Sequence, residues 1–180
     1  GSRSSVNRRN IEERANRYFF VKDPVTLDVQ CVGREVSAKL LLHPDQPERG
    51  TRDYTVKPLN GTAQFKISRD DAEKMEASGM VRLMGLMNIE ILDANPTRIL
   101  ARYHSKGHEE AREKGAAFIH WLPDGVGIDA GVMMPDASKV RGLAEPGCMD
   151  LKIDAMIQFE RFGFVRVDKQ KPFSAYFAHR

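Results

Sequence analysis

Two short strings in this chain carry residue types suited to nucleotide chemistry. Residues 104–108 (HSKGH) set two imidazoles around a lysine and a glycine, and residues 74–78 (KMEAS) put a lysine ahead of small side chains. They invite comparison with the HxGH and KMSKS signatures of adenylate-forming sites. The first is one residue too long. The second lacks the second lysine and precedes the histidine pair instead of following it. Neither has around it the strand, loop and helix that cradle phosphates. The two strings therefore read as an exposed loop and a solvated helix end. His43 and His120 stand far from each other and from any cysteine, which argues against a zinc site. His120 and Trp121, inside an apolar run, read as a packed, hydrogen-bonded pair. Glu160 beside Arg161 has the type of a general acid, but such a neighbouring pair reads better as ion-paired support. Cys31 and Cys148 lie in no CxxC or His-rich context and read as reduced structural thiols. With no nucleophile, metal site or phosphate loop, the chain is not expected to do chemistry by itself.

The elements that would position these residues are mostly strands. Residues 18–21 are aromatic and β-branched, and Asp23-Pro24 closes them like a turn. Residues 25–32 alternate, with Val25, Leu27 and Val29 on one face and Thr26, Asp28 and Gln30 on the other. Further strands are expected over 36–42, 52–57, 61–67, 80–92, 98–104, 117–122, 127–134, 155–167 and 172–177. Residues 43–50 (HPDQPERG) are broken by two prolines and a glycine. Ser68 is a candidate N-cap for a short helix through about Ala77, stopped by Gly79, and Gly115 ends a second helical turn over 109–114. Many short strands separated by turn signals predict a sandwich or barrels. So few helices cannot supply the crossovers of a doubly wound nucleotide-binding sheet.

The 180 residues are 41% hydrophobic and 29% charged, enough to bury a core beneath an ordinary polar surface. The net charge of +3 is a mild basic lean, compatible with a polyanionic partner. No apolar run approaches the roughly 18 residues of a membrane helix, so no membrane partner is expected and a cytoplasmic location is. Gly1-Ser2 looks like a cloning remnant, and residues 6–16 (VNRRNIEERAN) have helical composition without an apolar stripe. Together they predict residues 1–16 to be a tag remnant plus the tail of a preceding helical segment.

Four strings in this order and spacing carry a resemblance: residues 17–25 (RYFFVKDPV), 43–50 with Arg52 following, 118–122 (FIHWL) and 157–164 (IQFERFGF). They resemble the C-terminal anticodon-binding region of glutamyl-tRNA synthetases of the archaeal and eukaryotic type, an architecture that glutaminyl-tRNA synthetases share. Residues 81–84, 103–105 and 142–145 fill the gaps. The resemblance implies an all-β fold of two linked antiparallel β-barrels, similar to the ribosomal protein that binds 5S RNA, with short connecting helices. It implies an anticodon-binding region over 17–180, with one barrel over roughly 24–105 and the other over roughly 115–180 with the N-terminal strand. The implied partner is the anticodon loop of tRNA-Glu, with tRNA-Gln left open. ATP with Mg would belong to a catalytic domain preceding residue 1, and no cofactor or metal is expected in this chain. A free-standing rRNA-binding barrel protein and the equivalent region of a glutaminyl enzyme are the alternatives.

Carried onto this chain, the resemblance implies that the middle anticodon uridine meets Arg17, Gln158 and Arg161. It implies that Arg82 meets the first anticodon nucleotide, and that Lys74 and Asp45 lie near the third. Met84 stands where glutaminyl enzymes offer a second arginine, which weakens first-base contact. The residue types suit the task. Loop bases splayed out of the stack are read on their edges by hydrogen bonds and on their faces by planar groups. Arginine does both, and glutamine matches the donor and acceptor pattern of uracil. Gln158 and Arg161 are three apart and would face opposite sides of a regular strand, so a turn around Phe162-Gly163 is expected.

Overall fold

The computed structural model describes residues 14–180. In chain order the strands are β1 (Asn16–Tyr18), β2 (Phe20–Lys22), β3 (Pro24–Gln30), β4 (Val36–Leu41), β5 (Thr51–Val56), β6 (Ala63–Ser68), β7 (Met80–Leu83) and β8 (Met87–Asn95). They continue as β9 (Arg98–Ser105), β10 (Ala117–Ile119), β11 (Leu122–Pro123), β12 (Ile128–Met133), β13 (Lys139–Ala144), β14 (Met156–Phe159), β15 (Gly163–Gln170) and β16 (Phe173–His179). Two short helices, α1 (Arg69–Glu73) and α2 (His108–Glu113), interrupt them. Residues 6–13 of the expected helical tail lie outside the described residues, and Asn16 already belongs to β1.

The all-β expectation holds. The two seven-stranded sheets make one nearly closed barrel and one half-barrel. Sequence neighbours joined by short turns pair antiparallel. Among the described residues, β1 pairs parallel with β14, β12 with β16, β3 with β9, and β7 with β10. In each of these the chain returns from a distance, so no hairpin turn imposes the antiparallel direction.

The chain divides into two compact units. One holds the described residues up to Phe20, Leu41–Arg52 and Ile128–Arg180, and the other holds Val21–Leu40 and Asp53–Gly127. The resemblance implies a division near 105–115. The structure draws it at Gly127, because β10 and β11 extend the sheet of the second unit by pairing with β7 and β6. It also gives Leu41–Arg52 to the first unit, where the amide of Arg17 donates to the Leu42 carbonyl (2.7 Å).

In the first unit the sheet runs β1-β14-β15-β16-β12-β13-β2. Its core gathers Phe20, Val132, Ile157, Phe159, Val165 and Phe173, with Phe20 stacked on Phe159 at 4.9 Å between ring centres. In the second unit the sheet runs β10-β7-β8-β9-β3-β6-β11. Val25, Leu27 and Val29 are buried, as their alternation predicts. Trp121 is fully buried, meets Tyr54 and Phe65 edge-on, and donates its indole N–H to the Met84 carbonyl (2.9 Å). The Ser68 hydroxyl accepts from the Asp71 amide (3.3 Å), so the expected N-cap is present.

Two expected strands are hairpins. Residues 80–92 split into β7 and β8 around Gly85, whose φ is +74°, and residues 155–167 split into β14 and β15. The run over 117–122 breaks between β10 and β11. β13 was not expected as a strand.

Candidate nucleic-acid interface

Arg17 and Gln158 are 141 positions apart in sequence and directly opposed in space. β1 and β14 run side by side in parallel, with Arg17 in register with Gln158. On β14, Ile157 and Phe159 point into the core, which turns half-buried Gln158 to the outer face. Beyond Phe159 the chain turns sharply through Glu160, Arg161 and Phe162, and Phe159 pairs with Gly163 across the hairpin. Arg161 sits in this turn, exposed, with φ of +66°, and Gly163 follows at φ of +149°. Because Arg161 lies in the turn, the strand alternation that would set it opposite Gln158 does not apply to it. The amide of Glu160 donates to the Tyr18 carbonyl (3.0 Å), tying the turn to β1. Thus Arg17, Gln158 and Arg161 all belong to one strand pair and its turn.

A buried ionic cluster underlies this strand pair. Arg52 donates from Nε to both carboxylate oxygens of Glu145 (3.2 Å each) and from Nη2 to Oε2 (3.1 Å). Arg52 also donates to the Leu41 carbonyl, and Glu145 accepts from the Phe19 amide. That last bond explains why the aromatic run from Tyr18 is two strands and not one. The Phe19 N–H, between β1 and β2, turns to a carboxylate instead of continuing a ladder. Both charged groups are nearly inaccessible, at 7% and 1% exposure. A buried pair of this kind is costly to break, since either partner alone would be an uncompensated charge. Arg52 Nη2 also lies 4.0 Å from Glu160 Oε1. Burial raises the Glu160 carboxyl above its ordinary range, while the Arg52 and Arg17 cations pull it back. Burial also pushes the Tyr18 phenol up to about 12, with Cys148 and Glu145 adding to the shift.

The remaining sequence-expected residues belong to other elements. Asp45 is exposed in the loop between β4 and β5, where its amide donates to His43 Nδ1 (3.2 Å). Lys74 is exposed at the C-terminal end of α1 in the second unit. Arg82, on β7, is buried. Its Nη1 donates to Asn88 Oδ1 and to the Lys106 carbonyl, both at 2.9 Å, and burial lowers its pKa. Asn88 in turn donates to Ser105 Oγ (2.9 Å) and the Gly107 carbonyl (2.7 Å), so Arg82 is tied into a network that shapes residues 105–107. The 104–108 string forms the end of β9 and the start of α2. His104 meets Ser105 Oγ at 2.8 Å, and His108 pairs with Glu109 at 2.9 Å. The described residues hold no group of three His, Cys, Asp or Glu side chains placed to bind a metal, and no helix long and apolar enough to cross a membrane.

Two family profiles match the chain in succession. Both carry the description "tRNA synthetases class I (E and Q), anti-codon binding domain", one over residues 15–104 and the other over 118–168. The chain belongs to this anticodon-binding family. Among its relatives, the glutamate–tRNA ligase of Thermococcus kodakarensis is 41% identical over 180 residues, covering 98% of this chain and 30% of that protein. The glutamate–tRNA ligase of Methanothermobacter thermautotrophicus is 42% identical over 176 residues, covering 97% of this chain and 29% of that protein. That of Pyrococcus furiosus is 39% identical over 169 residues, covering 92% and 28%. The chain therefore spans under a third of the length of the relatives it matches.

In this anticodon-binding chain, sequence reasoning overlooked the residues beneath the interface. Glu145 appeared only as the end of a gap-filling string, and Arg52 only as the residue after a loop. Arg52 carried a faint signal, since a charged side chain at an inward position of an alternating strand requires a buried partner, and Glu145, just beyond β13, carried none. The partner is 93 residues away, so spacing could not name it.

Proposed function

We propose that this chain is the anticodon-reading part of a glutamate–tRNA ligase and that Arg17, Gln158 and Arg161 form its pocket for the middle anticodon uridine. The observation that carries the reading is the direct opposition of Arg17 and Gln158 across β1 and β14, with Arg161 in the turn that follows. Gln158 can donate to one uracil edge atom and accept from another. The two guanidinium forks can approach carbonyl oxygens or lie against the ring. Cytosine presents a different donor and acceptor order, so a pocket matched to uracil leaves groups unpaired against it. Glutamate and glutamine anticodons share this uridine, so tRNA-Glu is the partner and tRNA-Gln is tested beside it. Arg82 meets the first nucleotide with part of its fork already engaged by Asn88 and Lys106, which suits holding the loop more than choosing the base. Lys74 and Asp45 flank the third position. Attachment of glutamate, with ATP and Mg, belongs to the rest of the parent's length, and the whole acts in the cytoplasm.

The test compares anticodon stem-loops with U or C in the middle. Arg17→Ala, Gln158→Ala and Arg161→Ala should each weaken U-middle binding by about 1–3 kcal/mol, the range of a good bidentate base contact. Each should leave the already weak C-middle binding nearly unchanged. Equal losses on both loops would reject the pocket.

A further inference from the structure

The outer face that carries Gln158 continues across the sheet of the first unit, and its composition is unusual. Register fixes the rows. Met156 pairs with Arg166, Arg166 with Tyr176, Tyr176 with Met133, and Met133 with Lys139. One row across β14, β15, β16, β12 and β13 therefore reads Met156, Arg166, Tyr176, Met133, Lys139. The next row reads Lys169, Ser174, Gly131, Arg141. Between these rows, Val167, Ala175 and Val132 are buried in the core, so both rows face outward.

The flanks of this face are basic. Tyr176 is 44% exposed. Gly131 adds no side chain, and a Cβ there would collide with the Lys139 side chain, which lies across the glycine. Arg166 and Lys169 are exposed on β15, and Lys139 and Arg141 are exposed on β13. Three strand spacings, about 14 Å, separate the two basic columns. The Arg166 guanidinium carbon lies 5.9 Å from the Tyr176 ring centre, adding a second planar group. Three carboxylates lie nearby: Asp154 is 3.7 Å from Arg166, with both side chains largely exposed, Asp168 accepts from Ser174 (3.3 Å), and exposed Asp129 shares the outer face of β12 with Gly131. They offset much of the charge, and four cations against three anions leave the strip mildly basic.

We propose that this strip is a second, sequence-independent binding surface for single-stranded RNA, with a base stacked on Tyr176 and phosphates held by the β13 and β15 cations. An exposed aromatic ring between basic columns is the arrangement by which β-sheets hold single strands, because every base has a face to stack and every nucleotide a phosphate. An extended peptide fits less well. It binds by adding to a sheet edge, whereas β16 and β12 are interior strands with both edges paired. The strip does not depend on the uridine pocket. It lies two residues along β14 from Gln158, so a strand leaving that pocket can run onto it.

The test is fluorescence anisotropy of a labelled ten-nucleotide oligouridylate with the 180-residue chain at several salt concentrations. Tyr176→Ala should weaken binding about tenfold and Tyr176→Trp should restore it, in keeping with base–aromatic stacking. The Lys139→Gln/Arg141→Gln pair should weaken binding at low salt and flatten the log–log salt slope by about 1.4, roughly 0.7 for each phosphate contact removed. None of these variants should alter the ratio of U-middle to C-middle stem-loop binding. Unchanged oligouridylate binding by Tyr176→Ala, no binding by the parent chain, or equal competition by polyglutamate or anionic vesicles would overturn the proposal. If Arg17→Ala leaves middle-base preference untouched while Tyr176→Ala still loses the oligonucleotide, the uridine pocket fails and the strip stands.

Discussion

At the scale of single residues, the proposed interface is built from one exposed cation, two half-buried polar groups and a hidden ionic support. Glu160 joins the two layers, since it stands in the turn beside Arg161 and near Arg52. Its carboxyl is raised above the ordinary glutamate value of 4.5, burial being the leading cause and the Arg52 and Arg17 cations the opposing ones. The folded chain therefore takes up this proton more readily than the unfolded chain. The resulting contribution to stability is fully present below the unfolded value and is lost as pH rises through the folded one. Glu160→Gln removes that dependence. In urea unfolding, the midpoint of Glu160→Gln relative to the parent chain should climb as pH is taken from 4 to 7. A flat or falling difference would mean that the neighbouring arginines outweigh burial. The types of the proposed pocket residues were legible in the sequence, because arginine and glutamine declare their hydrogen-bonding patterns. The environment of Glu160 was not legible, because it depends on Arg52 arriving from 108 positions upstream in the chain.

At the scale of elements, the β14–β15 hairpin decides whether the site exists. Its three-residue turn holds Arg161 at φ of +66°, a left-handed conformation that costs an L-residue roughly 1–2 kcal/mol. Gly163 is required for a second reason: a Cβ there would lie 2.6 Å from Phe177 Cε2 and 2.9 Å from the His179 carbonyl. Arg161→Gly and Arg161→Ala both delete the guanidinium, but only glycine relieves the backbone. The glycine variant should unfold at higher urea than the alanine variant, by about 1 kcal/mol, while both lose U-middle binding equally. If alanine proves as stable as glycine, the turn is not held left-handed in solution. The sequence run over 155–167 reads as one strand because apolar and aromatic residues flank the turn on both sides. Only the face mismatch between Gln158 and Arg161 required a bend there. The hairpin at Gly85 escaped for the same reason: Leu83, Leu86 and Met87 are all buried, so hydrophobicity does not dip at the turn. β13 escaped because Lys139, Arg141 and Gly142 dilute its alternation.

At the scale of the whole molecule, the all-β character followed from many short alternating runs, but the parallel pairings did not. Arg17 meets Gln158 only because the chain departs after Phe20 and returns at Leu41 and again at Ile128 to the unit where it began. Local pattern carries no record of such returns. The same scale sets the last prediction. The net charge is only +3, and many cations are already paired: Lys22 with Asp70, Arg69 with Asp23, Arg98 with Asp28 and Arg102 with Glu90. Apart from Arg98–Asp28, whose carboxylate is buried, these surface pairs contribute little to stability, and all four lower the positive field that an RNA backbone meets. The chain also spans under a third of its relatives' length, so on the proposed reading contacts to the rest of a tRNA would lie in the length it does not cover. An anticodon stem-loop should accordingly bind this chain with a dissociation constant of roughly 10⁻⁴–10⁻⁶ M at physiological salt, and more tightly as salt is lowered. The preference for U in the middle should persist across that titration, because edge hydrogen bonds inside a pocket are screened far less than phosphate contacts at the surface. Titrating U-middle and C-middle loops at four ionic strengths separates the two contributions. Parallel lines on a log–log plot, offset by the base preference, are the expected result. Salt-independent affinity would contradict the phosphate contribution, and lines that converge at high salt would contradict the pocket.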